Sequence, residues 1–459
     1  MKSPFKEIGG SITAPQGFLA SGVFCDIKRL GTGKGSEKGK KRDLALIISE
    51  VPAAVAGMFT TNQVCAAPVK VCVQRVKQGT AQAIVVNSGN ANACTGPRGL
   101  RDAVAMTEIV ARQLHMPVDH VLVASTGRIG TPLPMVFVKR GILAAASRLG
   151  ASSACDSEAT EAILTSDTRA KQVAVEFKLG ARTARIGGMC KGAGMIQPGM
   201  SSTGLRPAST PRHATMLCFI TSDAAIEATA LQAALHEAVA LSFNRITVDG
   251  DMSTNDTVLA LANGLAGNPA IVASDVRRLT FVHSKSAMRN PKLRDAAVFQ
   301  SALNHVCLAL AKMIVRDGEG VSRFVTVRVS GAESVADADA AARAVANSAL
   351  VKTSWHGGDP NWGRIMDALG YSAAKIVEDK VDIAYSAPGS RQWTYSLKRG
   401  QPTRTPFQTL CAAVAAGEFD LHINLNLGRS SAAVYAADLT EEYVDFNKGD
   451  VSDPASLGG

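Results

Sequence analysis

The sequence predicts a mixed α/β protein, of the α/β or α+β class, with two lobes. The chain has 459 residues, which is too long for one small core and favours two lobes or domains. Glycine is frequent, at 41 residues, and aromatic residues make up only 5%. This composition suits a protein with many tight loops, where glycine supplies backbone angles that other residues resist. Short apolar runs alternate with helically spaced apolar residues, which predicts alternating strands and helices.

In the first half of the chain, β-branched runs predict strands that are buried on both faces, each ending in a polar, glycine-bearing loop. A helix is predicted over 100–114. The predicted strands cover 44–48, 83–86 and 121–124, and the loops after the last two cover 87–92 and 125–127.

A polar gap, residues 201–213, is rich in Ser, Thr, Pro and basic residues and is predicted to be an exposed loop. The pattern then restarts with a strand at 215–221 and a helix around 231–238. The sequence therefore predicts two lobes joined near residues 200–215. Further alternation runs through 324–329 and 335–349 to strands around 423–425 and 432–435.

The net charge of +10 raises the alternative of a nucleic-acid-binding protein. Much of this charge lies in residues 34–42, where Lys and Arg mix with Gly and Ser, as in a solvated loop. No aromatic residues interleave with the charges, although single-strand binding favours them. The nucleic-acid alternative rests on charge alone.

The nine cysteines lack CxxC or Cys/His ligand spacing, which favours reduced thiols and argues against a zinc site. The N-terminus, MKSPFKEIGG, has neither a signal-peptide core nor an Arg-rich transit pattern. The sequence contains no run of 18 apolar residues, so no membrane span is predicted. We expect a soluble, cytoplasmic protein without a metal, with an organellar location left open.

The loops at 87–92 and 125–127 follow buried strands, where backbone N–H groups and hydroxyls are free to hold a substrate. Asn and Gly also favour turns regardless of function, so both interpretations stay open. A third segment, 249–255, invites a calcium-loop interpretation, but Thr254 stands where the tight-turn glycine belongs and Ala260 where the closing Glu belongs. Asx-turns and capping of the next helix explain these side chains better.

Two further features contain polar residues that are candidates for a functional role. His356 and Asp359 are expected to form a structural pair rather than a metal site. Thr215 opens a predicted buried strand just after the polar gap, which is the layout of a self-processing nucleophile. Cleavage before Thr215 would release an amine with a pKa near ~8 that can act as base for the hydroxyl. Taken alone, a Thr at a strand start is more often a strand former.

The segments KGAGMIQPGM (191–200) and ATMLCFIT (214–221) resemble the ornithine acetyltransferase family of arginine biosynthesis, also called glutamate N-acetyltransferase. An insertion at 201–213 separates them here. Other family-like stretches run the length of the chain: GGSITAPQGF (9–18), FTTNQVCAAPV (59–69), IVVNSGNANACTG (84–96), VLVASTGRIG (121–130), SFNRITVDGDMSTNDTV (242–258), VRDGEG (315–320) and DPNWGRI (359–365).

The resemblance implies an αββα sandwich related to N-terminal-nucleophile hydrolases. It implies autocleavage between Ala214 and Thr215 into an α chain, 1–214, and a β chain, 215–459, assembled as a heterotetramer of two of each. The implied substrates are N2-acetylornithine and L-glutamate, with no cofactor, and the use of acetyl-CoA as a further donor is left open.

The resemblance also implies roles for individual residues. Thr215 is the nucleophile and also a substrate-binding position, and Thr126 with Gly127 forms the oxyanion hole. The other substrate-binding matches are Thr165, Lys191, Glu319, Asn447 and Ser452. The alternative within the same mechanism is a self-processing threonine amidase or aminopeptidase, in which water resolves the acyl-threonine.

Overall fold

The computed structural model describes residues 3–28, 41–205, 216–279 and 290–448. These divide into two compact units. The first takes in the described residues of 1–244 and 251–314, and the second those of 245–250 and 315–448. This division does not fall at the predicted join near 200–215, because the strand that follows that gap lies inside the sheet of the first unit.

The strands, in chain order, are β1 (Phe5–Ile8), β2 (Phe18–Val23), β3 (Leu44–Phe59), β4 (Thr80–Asn90), β5 (Val121–Arg128), β6 (Lys171–Leu179), β7 (Arg182–Lys191), β8 (Leu217–Ser222), β9 (Ile246–Thr247), β10 (Thr257–Ala262), β11 (Phe324–Ala332), β12 (Asp382–Ser386), β13 (Thr394–Lys398), β14 (Gln401–Pro402), β15 (Glu418–Asn424) and β16 (Ser430–Ala437).

The α-helices are α1 (Ala67–Val76), α2 (Gly96–Leu114), α3 (Met135–Ala146), α4 (Ser153–Ile163), α5 (Ala228–Ala240), α6 (Ala273–Leu279), α7 (Pro291–Arg316), α8 (Val335–Asn347), α9 (Ala349–His356), α10 (Trp362–Gly370), α11 (Phe407–Val414) and α12 (Glu441–Asn447). Short 3₁₀ helices cover Val118–His120, Phe243–Arg245 and Glu378–Lys380.

The described part of the first unit contains one nine-stranded sheet in the order β1-β6-β7-β8-β10-β3-β4-β5, with β2 also paired to β3. β8 lies antiparallel to β7 and parallel to β10, so that Leu217 is paired with Lys191 on one side and with Thr257 on the other. Three strand ends therefore lie side by side at this point. The central strands are buried along almost their whole length, as the continuous apolar runs predict.

The described part of the second unit contains a seven-stranded sheet in the order β14-β13-β12-β15-β11-β16-β9. Alternate residues of β11, Val325, Val327 and Val329, join the apolar core together with buried residues of α8. The sequence predicted a structural pair of His356 and Asp359, and this prediction is wrong. His356 contacts Glu441 (2.9 Å) and Ser322 (3.2 Å), because the end of α9 points it toward those side chains.

The mixed α/β class with two sheets is confirmed, and so are most predicted elements. The predicted helix over 100–114 is α2, and the predicted helix around 231–238 is α5. The predicted strand at 215–221 appears as β8, which begins at Leu217. Residues 206–215 lie outside the described residues, as do residues 34–40 of the basic segment 34–42.

Helix α7 is, by length and composition, the one helix of the described residues that could cross a membrane. Its Phe299 ring meets Phe177 of β6 edge-on at 6.2 Å, and its Leu310 carbonyl accepts a hydrogen bond from Cys190 of β7. Its apolar face is thus buried on the sheet of the first unit, as in a core helix. All nine cysteines are free thiols.

We expect Gly187→Ala to destabilise the first unit, because β7 approaches the N-terminal segment closely there. A Cβ at Gly187 would lie 1.8 Å from the Ser11 carbonyl oxygen, which leaves no room for a methyl group. Overpacking of this kind costs about 2 kcal/mol or more, and urea unfolding should show the loss. Gly9→Ala is the matched control, since nothing lies within 4 Å of its added Cβ. Equal stability of the two variants would contradict the packing.

Candidate active site

The ammonium group of Lys191 brings together three of the predicted site residues. Lys191 is the last residue of β7 and is buried. Its Nζ donates to the Thr165 hydroxyl at 2.7 Å and lies 3.5 Å from the Thr126 hydroxyl. Thr126 comes from β5 and Thr165 from the segment after α4. Residues from three separate stretches of the chain therefore meet at one buried cation.

The carboxylate of Asp167 organises this cluster, although sequence reasoning did not single it out. It accepts hydrogen bonds from Lys171 Nζ (2.7 Å), Gly192 N (2.7 Å) and Thr165 N (3.0 Å), and it lies 3.8 Å from Lys191 Nζ. Burial by itself raises the pKa of Asp167, but the charges of Lys191 and Lys171 and these hydrogen bonds hold that pKa far below its usual value. The aspartate is therefore ionised at any physiological pH.

Thr126 and Gly127 lie near the end of β5, where it runs parallel to β4. Thr126 is buried and Gly127 is exposed. Gly127 has φ 125°, and a Cβ there would lie 2.4 Å from the carbonyl carbon of Gly89. Only glycine fits, because both the backbone angle and the close approach exclude a side chain. The pair thus combines a buried hydroxyl group with an exposed backbone.

The predicted loops at 87–92 and 125–127 are largely strand, which corrects the sequence interpretation. β4 continues to Asn90 and β5 to Arg128. The Ser125 hydroxyl donates to Asn87 Oδ1 at 2.6 Å, and Asn87 Nδ2 donates to the Asn90 carbonyl at 2.8 Å. These side chains hold the strand ends together across an irregularity in the register, which is why Asn and Gly do not end the strands here.

The segment 249–255 is followed by β10 and not by a helix, so the predicted helix capping is wrong. Its last residue, Asn255, and the adjacent Asp256 are buried. Asp256 Oδ1 accepts a hydrogen bond from the Met216 N–H, and Oδ2 has no partner among the described residues. Burial raises the pKa of Asp256 well above its usual value, against the opposing effects of the Met216 N–H and the Lys191 charge.

In the second unit, Asn447 Nδ2 donates to Glu319 Oε2 at 3.0 Å. Two more of the predicted site residues are therefore partners, although they are far apart in the sequence. Ala214, Thr215 and Ser452 lie outside the described residues. Met216, the residue that follows Thr215, is completely buried.

The model of the ArgJ family matches residues 25–449 of this chain. The chain belongs to the ArgJ family. It is 44% identical to the arginine biosynthesis bifunctional protein ArgJ of Symbiobacterium thermophilum over 96% of this chain and 98% of that protein. It is 42% identical to the Geobacter sulfurreducens protein of the same name, over 94% and 98%.

Among solved structures, the ornithine acetyltransferase of Mycobacterium tuberculosis in complex with ornithine is 38% identical. The match covers 43% of this chain and 100% of that one, with a TM-score of 0.39. Membership of the ArgJ family confirms the resemblance that the sequence motifs indicated.

Three polar residues of this ArgJ-family chain escaped the sequence analysis: Asp167, Asn255 and Asp256. A signal for Asp167 was present, since it lies two residues after Thr165 and four before Lys171. Asn255 ends the segment 249–255, which fails to match a calcium loop and was assigned to Asx-turns and helix capping, and Asp256 follows it. Neither assignment predicts a buried amide or a buried acid.

We expect Asp256→Asn to change stability in a pH-dependent way. Because the folded-state pKa is raised, the native protein keeps the proton that the unfolded chain loses as the pH rises. The stability of the parent therefore declines with pH above the usual carboxyl pKa of ~3.9. An amide is always neutral, so the variant gains stability relative to the parent between about pH 4.5 and about pH 8. Urea unfolding at both pH values measures the gain.

Asp167→Asn is the matched control for this measurement. The pKa of Asp167 is lowered, so the stability that its ionised form contributes is present above the usual carboxyl pKa and is lost only as pH falls below it. The control should be less stable than the parent across the same range. A gain for Asp256→Asn that does not change with pH would contradict the raised pKa.

Proposed function

We propose that this ArgJ-family chain is an acyltransferase that moves the acetyl group of N2-acetylornithine to L-glutamate through an acetyl ester on Thr215. One observation carries the proposal: Thr126 and Thr165 converge on the buried ammonium of Lys191. Lys191 is also paired with Leu217 in the sheet, two residues after Thr215 in the sequence. The described residues that follow Thr215 therefore lie beside Lys191, which supports Thr215 as the proposed nucleophile.

In the proposed reaction, the Thr215 hydroxyl attacks the acetyl carbonyl, and the resulting oxyanion accepts hydrogen bonds from the Thr126 hydroxyl and the Gly127 N–H. Loss of one such donor typically costs ~3 kcal/mol of barrier. The bond between the acetyl carbon and the ornithine nitrogen then breaks. Ornithine leaves as the free amine, and the acetyl group stays on Thr215 as an ester. The amine of glutamate then attacks the ester and restores the hydroxyl, which makes the route ping-pong.

The charges of the buried cluster suit an amino-acid substrate. Lys191 and Lys171 both contact the carboxylate of Asp167. A buried ammonium group suits the carboxylate of an amino acid, and Lys191 is the proposed partner of the substrate α-carboxylate. From the family resemblance we propose Glu319 for the amine end of the substrate, and Asn447 and Ser452 as further substrate-binding positions.

The proposed nucleophile becomes an N-terminal residue by self-cleavage between Ala214 and Thr215, which gives chains of residues 1–214 and 215–459. Its new amine, with a pKa near ~8, serves as the base. β8 of the second chain is hydrogen-bonded to β7 of the first. The two chains therefore stay joined through the sheet after the cut.

The name of the relatives, a bifunctional protein, supports a second reaction, for which we propose acetyl-CoA as the acetyl donor to glutamate. We further propose a cytoplasmic enzyme of two α and two β chains that needs no cofactor. A threonine amidase or aminopeptidase would use the same nucleophile, but membership of the ArgJ family favours transfer. Formation of N-acetylglutamate, measured against release of acetate, separates the two functions.

We expect Thr215→Ala to abolish both cleavage and transfer, because one hydroxyl serves both steps. The purified variant should give a single mass near 47.8 kDa, where the parent gives two fragments. Thr215→Ser is the control, since its primary hydroxyl can still attack and should retain some cleavage and reduced transfer. Acetyl transfer that persists in Thr215→Ala would contradict the proposal.

Lys191→Met should raise KM for N2-acetylornithine by about tenfold or more, because a charge-assisted hydrogen bond of ~1.5 kcal/mol or more to the carboxylate is lost. Lys171→Met is the matched control: it removes the other lysine of the Asp167 cluster and leaves Lys191 in place. Both variants should lose stability, but only the first should show the large change in KM. Equal KM values in the two variants would refute the role of Lys191.

A further inference from the structure

Asn255 is a buried amide whose side chain bridges two strand ends of the first unit. Its Nδ2 donates to the Ala91 carbonyl at 2.7 Å and to the Ser125 carbonyl at 2.8 Å. Its own N–H donates to the Ser253 hydroxyl at 2.9 Å, and its Oδ1 accepts from the Thr254 hydroxyl. Every polar atom of the side chain is therefore used, and its orientation is fixed.

The two carbonyl groups belong to backbone next to Thr126 and Gly127, which form the proposed oxyanion hole. Ser125 immediately precedes Thr126, so its carbonyl belongs to the peptide group whose N–H is that of Thr126. Ala91 follows Asn90, and the Gly89–Asn90 backbone lies directly against Gly127, where an added Cβ would be 2.6 Å from the Asn90 nitrogen. The amide of Asn255 thus ties together the ends of β4 and β5 that enclose Thr126 and Gly127.

We propose that Asn255 is a positioning residue that aims the Thr126 hydroxyl and the Gly127 N–H at the oxyanion. The inference rests on the proposed function, in which these two groups stabilise the tetrahedral intermediate. Oxyanion donors are effective only when they are held in place before the reaction, and a displacement of about 1 Å can cost about a hundredfold in rate.

The chemistry of the amide explains why this residue type is needed. Its nitrogen carries two N–H donors, one for each carbonyl, and its oxygen accepts at the same time. An ionised carboxylate of nearly the same shape has no donor and would face two carbonyl oxygens. An alanine leaves both carbonyls without this partner but introduces no charge.

The test compares Asn255→Asp and Asn255→Ala with the parent and with Asn268→Asp. Asn268 is a matched control in the same unit: it is also buried, and its Nδ2 donates to the carbonyls of Ala225 (3.1 Å) and Pro269 (2.8 Å). Acetyl transfer from N2-acetylornithine to glutamate is measured per mole of folded, cleaved enzyme. Intact mass gives the cleaved fraction, and circular dichroism gives the folded fraction.

We expect both Asn255 variants to lower kcat by about a hundredfold, with KM for N2-acetylornithine within about twofold of the parent because Lys191 and Thr165 are untouched. The control should keep the parent kcat even where its stability falls. Loss of self-cleavage in folded Asn255 variants, with cleavage intact in the control, supports the same role, because Thr215 serves both steps. If Asn255→Asp does not fold, the kcat of Asn255→Ala alone tests the positioning role.

A parent-like kcat in folded Asn255→Ala overturns the positioning role and leaves the proposed function standing. So does a kcat that falls equally in Asn268→Asp, since the effect would then follow from the loss of any buried amide. A parent enzyme that releases acetate without forming N-acetylglutamate would overturn the proposed function instead.

Discussion

The carboxylate of Asp167 holds the candidate site together. It is buried between two lysine ammonium groups and also accepts hydrogen bonds from the backbone of Thr165 and Gly192. Removal of one partner from a buried ion pair typically costs ~3–5 kcal/mol, since it leaves a charge without compensation. The positions of Lys191 and Thr165, and through Lys191 the contact with Thr126, therefore depend on this one side chain.

Much of the fold was predictable because its central strands are buried on both faces. Continuous apolar runs mark β3, β4 and β5, and helical spacing marks α2 and α5. The convergence of Thr126, Thr165 and Lys191 was not predictable from spacing. Their proximity depends on long-range tertiary contacts, because β5 and β7 are not neighbours in the nine-stranded sheet and Thr165 lies outside its strands. Only the resemblance of the motifs to a known family placed them in one site.

The missed features are polar residues whose role depends on tertiary contacts. Asn87 and Asn90 have the composition of a turn, yet side-chain hydrogen bonds hold them in a strand end. Asn255 was assigned to an Asx-turn or a helix cap, because nothing in the sequence reveals that its amide reaches the carbonyls of Ala91 and Ser125. The division of the units was missed for a similar reason: β9, only two residues long, joins the second sheet while the strands on either side of it in the chain belong to the first.

The central claim is that acetyl transfer passes through an ester on Thr215, and trapping that intermediate tests it most directly. The enzyme is mixed with N2-acetylornithine in the absence of glutamate, quenched in acid, digested and analysed by mass spectrometry. We predict one added acetyl group on the peptide that begins at Thr215, which disappears when glutamate is added before the quench. Ornithine release with no acetyl group on the protein, or an acetyl group on a different side chain, would contradict the account.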